Sequence, residues 1–150
     1  MKSLKLFCLA ILTAVAFTGC ASSGSSSFLP VEPADYSFTM YDSKGAVLIK
    51  GTMTVKDLTL VDKETGRLNG TYTITDSYGD FAGKSSMNGE FSGDYDYSKG
   101  KIFMNTNPRI ADANVFFSLT MYSSFYEGTW QYSTFRGPTD NGRLKLVPKK

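Results

Sequence analysis

The sequence predicts an all-β domain, an eight-stranded antiparallel up-and-down meander closed into a barrel. Three observations predict it. Beyond residue 34 the apolar residues alternate with polar ones, and no stretch has a helical period. The alternating stretches are separated by short connectors rich in Gly, Asp, Asn, Ser and Pro, the chemistry of tight turns, so consecutive strands form hairpins. In nearly every strand one parity is apolar and the other polar, which marks a sheet with one buried face. A single sheet of that kind must close or fold over, and closure removes its edges.

The strands follow in order along the chain. The first, residues 35–42, turns Tyr36, Phe38 and Met40 inward. After "DSKG" the second covers 46–61, with Val47, Ile49, Met53 and Val55 on the inner parity but Leu58 and Leu60 on the other. A change of parity needs one extra residue, so a β-bulge or bend is expected near Lys56–Asp57. After "DKETG" the third covers 66–76, with Leu68, Gly70, Tyr72 and Ile74 opposing Asn69, Thr71, Thr73 and Thr75. "SYGDFAG" leads to a fourth at 84–97, and "YSKG" to a fifth at 100–106. "TNPRIAD" precedes a sixth at 114–122, which carries Val115, Phe117, Leu119 and Met121 inward. A tight "SS" turn gives the seventh, 124–135, and "RGPTDNG" the eighth, 141–148.

Four strand centres share a pattern: "IKGTM", "LNGTY", "MNGEF" and "YEGTW". Their glycines, Gly51, Gly70, Gly89 and Gly128, read as strand-bend positions at matching heights on the inner face, where coiled barrel strands need relief. Duplicated strands or convergence on one geometric need both account for the repeat. "GRLNGTYTIT" (66–75) and "EGTW" (127–130) resemble the Gly-Thr-aromatic strands of small meander barrels of the lipocalin and avidin-like group. The resemblance implies the fold. It implies no biotin site, because the order of motifs along the chain differs, and Gly128 and Trp130 stand on the seventh strand instead of the first.

The first nineteen residues read as a lipoprotein signal peptide. "MKSLK" is a basic start, and Leu6 to Phe17 is a twelve-residue apolar run, short for a membrane span and typical of a signal core. "FTGC", Phe17 to Cys20, resembles the bacterial lipobox, with Phe17 where that motif mostly has Leu. The resemblance implies cleavage between Gly19 and Cys20 and lipidation of Cys20. An ordinary secretory signal with a chance cysteine is the alternative. Ala21 after the cysteine implies the outer membrane in a Gram-negative cell. Residues 20–34 then read as the lipidated cysteine and a Ser/Gly-rich tether, and 35–150 as the barrel domain. Two or three acyl chains would make a stable anchor where a single chain holds only marginally.

The chemistry is mostly absent. The chain has no His and two Cys; Cys8 leaves with the signal and Cys20 becomes the anchor. That excludes His-based triads, Cys nucleophiles and the common zinc sets. Without Lys2 and Lys5 the basic side chains number 14, equal to the 14 acidic ones, so nothing favours a nucleic-acid partner. Asp76, Asp80, Asp94 and Asp96 lack the carboxylate density of a calcium loop and read as turn caps. No metal, cofactor or catalytic residue is assigned.

The remaining signal is aromatic: one Trp, nine Tyr and eleven Phe. If the glycine layer leaves volume beneath Tyr72, Phe91, Tyr126 and Trp130, those rings line a pocket for a small apolar or amphiphilic ligand. If it does not, they are core. The expected function is therefore a non-enzymatic binding barrel, membrane-anchored in the cell envelope. The alternatives are a protein-binding or inhibitory envelope lipoprotein, in a role like that of lysozyme inhibitors, for which "MYSSFY" (121–126) offers an outward Tyr/Phe patch, and a purely structural surface protein.

Overall fold

A computed structural model describes residues 28–150; Cys8, Gly19 and Cys20, and with them the signal and lipidation readings, lie outside the described residues. Eight antiparallel strands, β1 (Asp35–Asp42), β2 (Val47–Leu60), β3 (Thr65–Ser77), β4 (Glu90–Asp96), β5 (Lys101–Asn105), β6 (Asn114–Met121), β7 (Tyr126–Thr134) and β8 (Gly137–Pro148), form a closed barrel in sequence order. Each strand pairs with its neighbours in the chain, and β8 closes on β1 through Phe38↔Leu146 and the flanking pairs. The meander barrel expected from alternation is the fold.

The inner parity holds except at the start of β2, where a register shift leaves Val47 half-buried opposite Tyr41 and buries Leu48 instead. Tyr36, Phe38, Met40, Ile49, Met53, Leu68, Phe117, Leu119, Met121, Leu144 and Leu146 are buried in one cluster. The parity change in β2 is absorbed where expected: Val55 pairs with Gly70 and Asp57 with Asn69, leaving Lys56 as the extra residue. Past that bulge Leu58 is half-buried, but Leu60 is 69% exposed, so the inner face of β2 ends earlier than the hydrophobic pattern suggests. Here β2 has run beyond the last residue of β1 that pairs with it, and no neighbour covers it on that side.

Two boundaries differ from the expected ones. The fourth strand begins at Glu90, because residues 78–89 form a long loop with a 3-10 turn at Lys84–Ser86. "RGPTDNG" is not a connector: β7 and β8 are joined tightly, with Thr134 paired to Gly137 and Ser133 to Pro138. β1 reaches only Gly142, so the proximal part of β8 pairs with β7 alone. Pro138 lacks a backbone N–H, and on a strand with one free edge that loses nothing.

Both mouths are plugged. At one end the segment before β1, expected as part of the tether, lies across the opening. Val31 is buried there, and Phe28, Leu29 and Ala34 pack against the core. Tyrosines hold its backbone. The Tyr126 hydroxyl donates to the Pro30 carbonyl (2.8 Å), Tyr36 to Glu32 (3.0 Å) and Tyr97 to Val31 (3.3 Å). The Val55 N–H donates to the Ala34 carbonyl. Residues 28–34, seven residues expected as tether, are therefore part of the packed domain. At the other end the 78–89 loop folds inward: the Phe81 ring sits 5.1 Å from Trp130, and Gly83 lies against Tyr132. Asn107 fastens this loop, donating its side-chain amide to the Ser86 carbonyl (2.9 Å) and accepting from the Asn88 amide (2.8 Å).

Candidate binding surface

Tyr72, Phe91, Tyr126 and Trp130 are all inward and buried, Trp130 completely and Tyr72 to within 6%. Residues so thoroughly covered are packed against other side chains and not against a ligand-sized space. Their polar tips are also used. Trp130 donates its indole N–H to the Tyr41 carbonyl (2.7 Å), and the Tyr72 hydroxyl donates to the Thr106 carbonyl (3.1 Å). Burial pushes the phenol pKa of Tyr126 far up and raises that of Tyr72. The four rings are core, and the ligand pocket expected beneath them is filled.

The glycines explain how. Across the ladder Phe38 faces Gly51, Phe91 faces Gly70, Tyr95 faces Gly66 and Trp130 faces Gly142. Each ring lies over the glycine opposite: a Cβ on Gly70 would come within 2.7 Å of Phe91, and one on Gly142 within 2.6 Å of the Trp130 indole. The missing side chain makes room for a ring from the next strand, and so opens no cavity. Gly128 seats no ring. A Cβ there would land on the Ser118 carbonyl oxygen, so close approach of β6 demands glycine, and Trp130 depends on Gly142 instead. Gly89 does not share this layer: it precedes β4 with φ +90, a turn position whose carbonyl accepts from the Tyr72 N–H (2.8 Å). Among the four repeated glycines, only Gly51 and Gly70 seat a cross-strand ring.

The open concave surface is on the outer wall. Register places three rows of outward side chains across it. Thr65, Asp96, Lys101, Thr120 and Glu127 form the first; Arg67, Asp94, Phe103, Ser118 and Thr129 the second; Asn69, Ser92, Asn105, Phe116 and Gln131 the third. A depression of about 800 Å³ lies between the first two rows. Its floor is low because the outward side chains Ser118, Thr120 and Thr129 are small. A second depression of about 400 Å³ continues toward the third row and shares Arg67, Asp94 and Phe103 with the first. None of the four inward aromatics lines either one.

Phe103 stands between the two depressions, 46% exposed, and stacks on Phe116 with centroids 5.6 Å apart. Arg67 and Asp94 face each other in register and join no ion pair among the described residues. Asp96 is engaged: Lys99 (2.6 Å) and then Ser98 (2.6 Å) lower its pKa to about 2. Lys101 donates to the Thr120 hydroxyl (2.7 Å). The surface thus offers an exposed aromatic stack, a free guanidinium and a free carboxylate on a rigid sheet. Among the described residues no three His, Cys, Asp or Glu side chains gather where a metal ion could sit, and no helix is long and apolar enough to cross a membrane.

The expected "MYSSFY" patch is half right in direction. Met121 and Tyr126 are inward and buried, while Tyr122 and Phe125 stack at the hairpin tip, 4.8 Å apart. The outer-wall residues were missed, although parity contains the signal. In "KIFMN" Phe103 lies between the inward Ile102 and Met104, and in "FFSL" only one of Phe116 and Phe117 can point inward. No protein-family model matches the chain, and no curated protein or solved structure matches it at a significant level.

Proposed function

We propose that this protein is a lipid-anchored envelope protein whose closed barrel is a non-enzymatic binding module, and that it takes a protein partner on its outer wall. The observation that carries this reading is the contrast between a filled interior and a concave exterior centred on Phe103. Aromatic rings and arginines concentrate binding energy at protein interfaces, and the depression holds exposed Phe103 and Arg67 in one row, with Asp94 between them. Its open form suits a protruding partner loop better than a small molecule, which would need enclosure over most of its surface. The anchor rests on Cys20 in "FTGC", and the envelope location on the same motif. The absence of His and the sequestering of cysteine support a role without catalysis.

A photo-crosslinking side chain at Phe103 tests the reading in intact envelopes. A discrete adduct is expected there, absent when the same group replaces Thr139 on the β7–β8 side of the barrel. The charge reversals Arg67→Glu and Asp94→Lys should each abolish it while leaving the melting temperature nearly unchanged. Identical adducts from both positions, or an adduct indifferent to both reversals, would overturn it.

A further inference from the structure

The plugged end where the chain enters the barrel has an outer rim with its own chemistry. Three hairpin turns lie side by side on it: 61–64 between β2 and β3, 97–100 between β4 and β5, and 122–125 between β6 and β7. Backbone bonds tie them together. The Tyr97 N–H donates to the Glu64 carbonyl, Met121 to Gly100, and Leu29 to Tyr122, each within 3 Å. The incoming chain is therefore part of the rim, and the Phe28 ring packs on Gly100 at its centre. The flanks carry apolar side chains that the described residues leave exposed. Leu60 is 69% exposed, Val61 65% and Tyr122 45%, the last stacked on Phe125. The β4–β5 turn between them carries Lys99, and Lys145 lies 4.4 Å over the Phe125 ring.

We infer that this rim docks on the surface of the bilayer that holds the anchor, with Leu60–Val61 and Tyr122–Phe125 entering the headgroup layer. The inference rests on the lipid-anchor reading of Cys20. Chain length selects the occupant. Eight peptide steps separate Cys20 from Phe28, and fully extended they span about 26–29 Å, whatever shape they take. The rim is thus the part of the domain that cannot leave the membrane's vicinity. Tyrosine suits the boundary between headgroups and acyl chains, with an apolar ring and a polar tip. A rigid rim is also favoured as an insertion surface, because little conformational entropy is lost when it binds.

Hydrogen exchange read by mass spectrometry tests this on the full mature chain. Lipidated protein in phosphatidylethanolamine–phosphatidylglycerol vesicles is compared with the same protein in monomeric detergent. The expected result is several-fold slower exchange at 60–64 and 122–125 in vesicles, with no change at 135–140 on the opposite end. The pair Leu60→Ser and Tyr122→Ser should erase the difference while the chain still floats with the vesicles. Unchanged exchange at the rim of a chain that does float would overturn the inference. Failure of the anchor reading is separate: the native chain would show no acyl mass and would not float. In that event the chain, coupled through its Cys20 thiol to a maleimide lipid, gives the same rim comparison.

Discussion

The two mouths of the barrel are closed by different means. At the rim end a segment from outside the meander is laid across the opening, and tyrosine hydroxyls from β1, β7 and the β4–β5 turn hold its carbonyls. At the loop end the plug is part of the meander, the long β3–β4 connection, and amide side chains hold it while Phe81 covers Trp130. The rim plug can be removed by shortening the chain, whereas the loop plug cannot be removed without breaking the connection between two strands. A filled barrel therefore depends on residues outside its strands at both ends, and the two ends should fail under different conditions.

The largest effect should come from the loop end. Trp130→Ala removes the largest fully buried ring and leaves Phe81 without its seat, at a cost of about 3–5 kcal/mol in denaturant unfolding. A loss under 1 kcal/mol would mean that the interior is less filled than its burial implies. Filling a ring seat is the complementary change. Gly142→Ala and Gly70→Ala should each cost about 1–3 kcal/mol, because each new methyl meets a neighbouring carbonyl as well as a ring. Either variant proving as stable as the parent would show that the rings have room to move.

Alkali should distinguish the ends. Burial raises the phenol pKa of Tyr126 and of Tyr97 at the rim, and of Tyr72 near the loop. For an acid whose folded pKa is raised, the unfolded chain gives up its proton first. Stability is then fully present below the ordinary value of 10.0 and falls as pH rises above it. Two such phenols guard the rim and one the loop, so amide exchange in 28–34 should accelerate above pH 10 before exchange in 78–89 does. Tyr126→Phe removes the most strongly perturbed phenol and should move that onset to higher pH. At neutral pH the same change loses one hydrogen bond to Pro30, about 0.5–1.5 kcal/mol.

The smallest effect is expected in acid. Asp96 lies half-buried at the rim beside exposed Lys99, and its lowered pKa comes from Lys99 and Ser98. A depressed carboxylate contributes above its unfolded value of 3.8, and that contribution is lost as pH falls toward about 2. The pair is solvent-screened, so Asp96→Asn should leave the melting temperature at pH 7 nearly unchanged. A large shift would mean that the β4–β5 turn supports the Phe28 contact more than its geometry indicates.

Alternation made the strands legible, since side chains of a half-buried sheet must follow the period of two. The bulge at Lys56 was legible for the same reason: a parity slip has one cheap remedy. Neither plug was. "FLPVEPA" and "SYGDFAGKSSMN" have no period, and turn chemistry alone reads as tether or connector. What makes them plugs is contact with side chains tens of residues away, such as Val31 with Tyr97 and Ala82 with Asp140. The candidate surface was half legible. That Phe103 and Phe116 face outward follows from parity, but that they stack between two depressions follows only from the order in which strands pair.

Local residue pattern is enough to determine which faces are apolar and how many strands there are. These are short-range properties, governed by backbone sterics and the two-residue repeat. Whether the barrel is hollow was decided by tertiary structure alone. A glycine in a strand is compatible with a pocket or with a ring seated from the neighbouring strand. The choice depends on cross-strand register, and closing the barrel sets that register by placing Trp130 opposite Gly142 and Phe91 opposite Gly70.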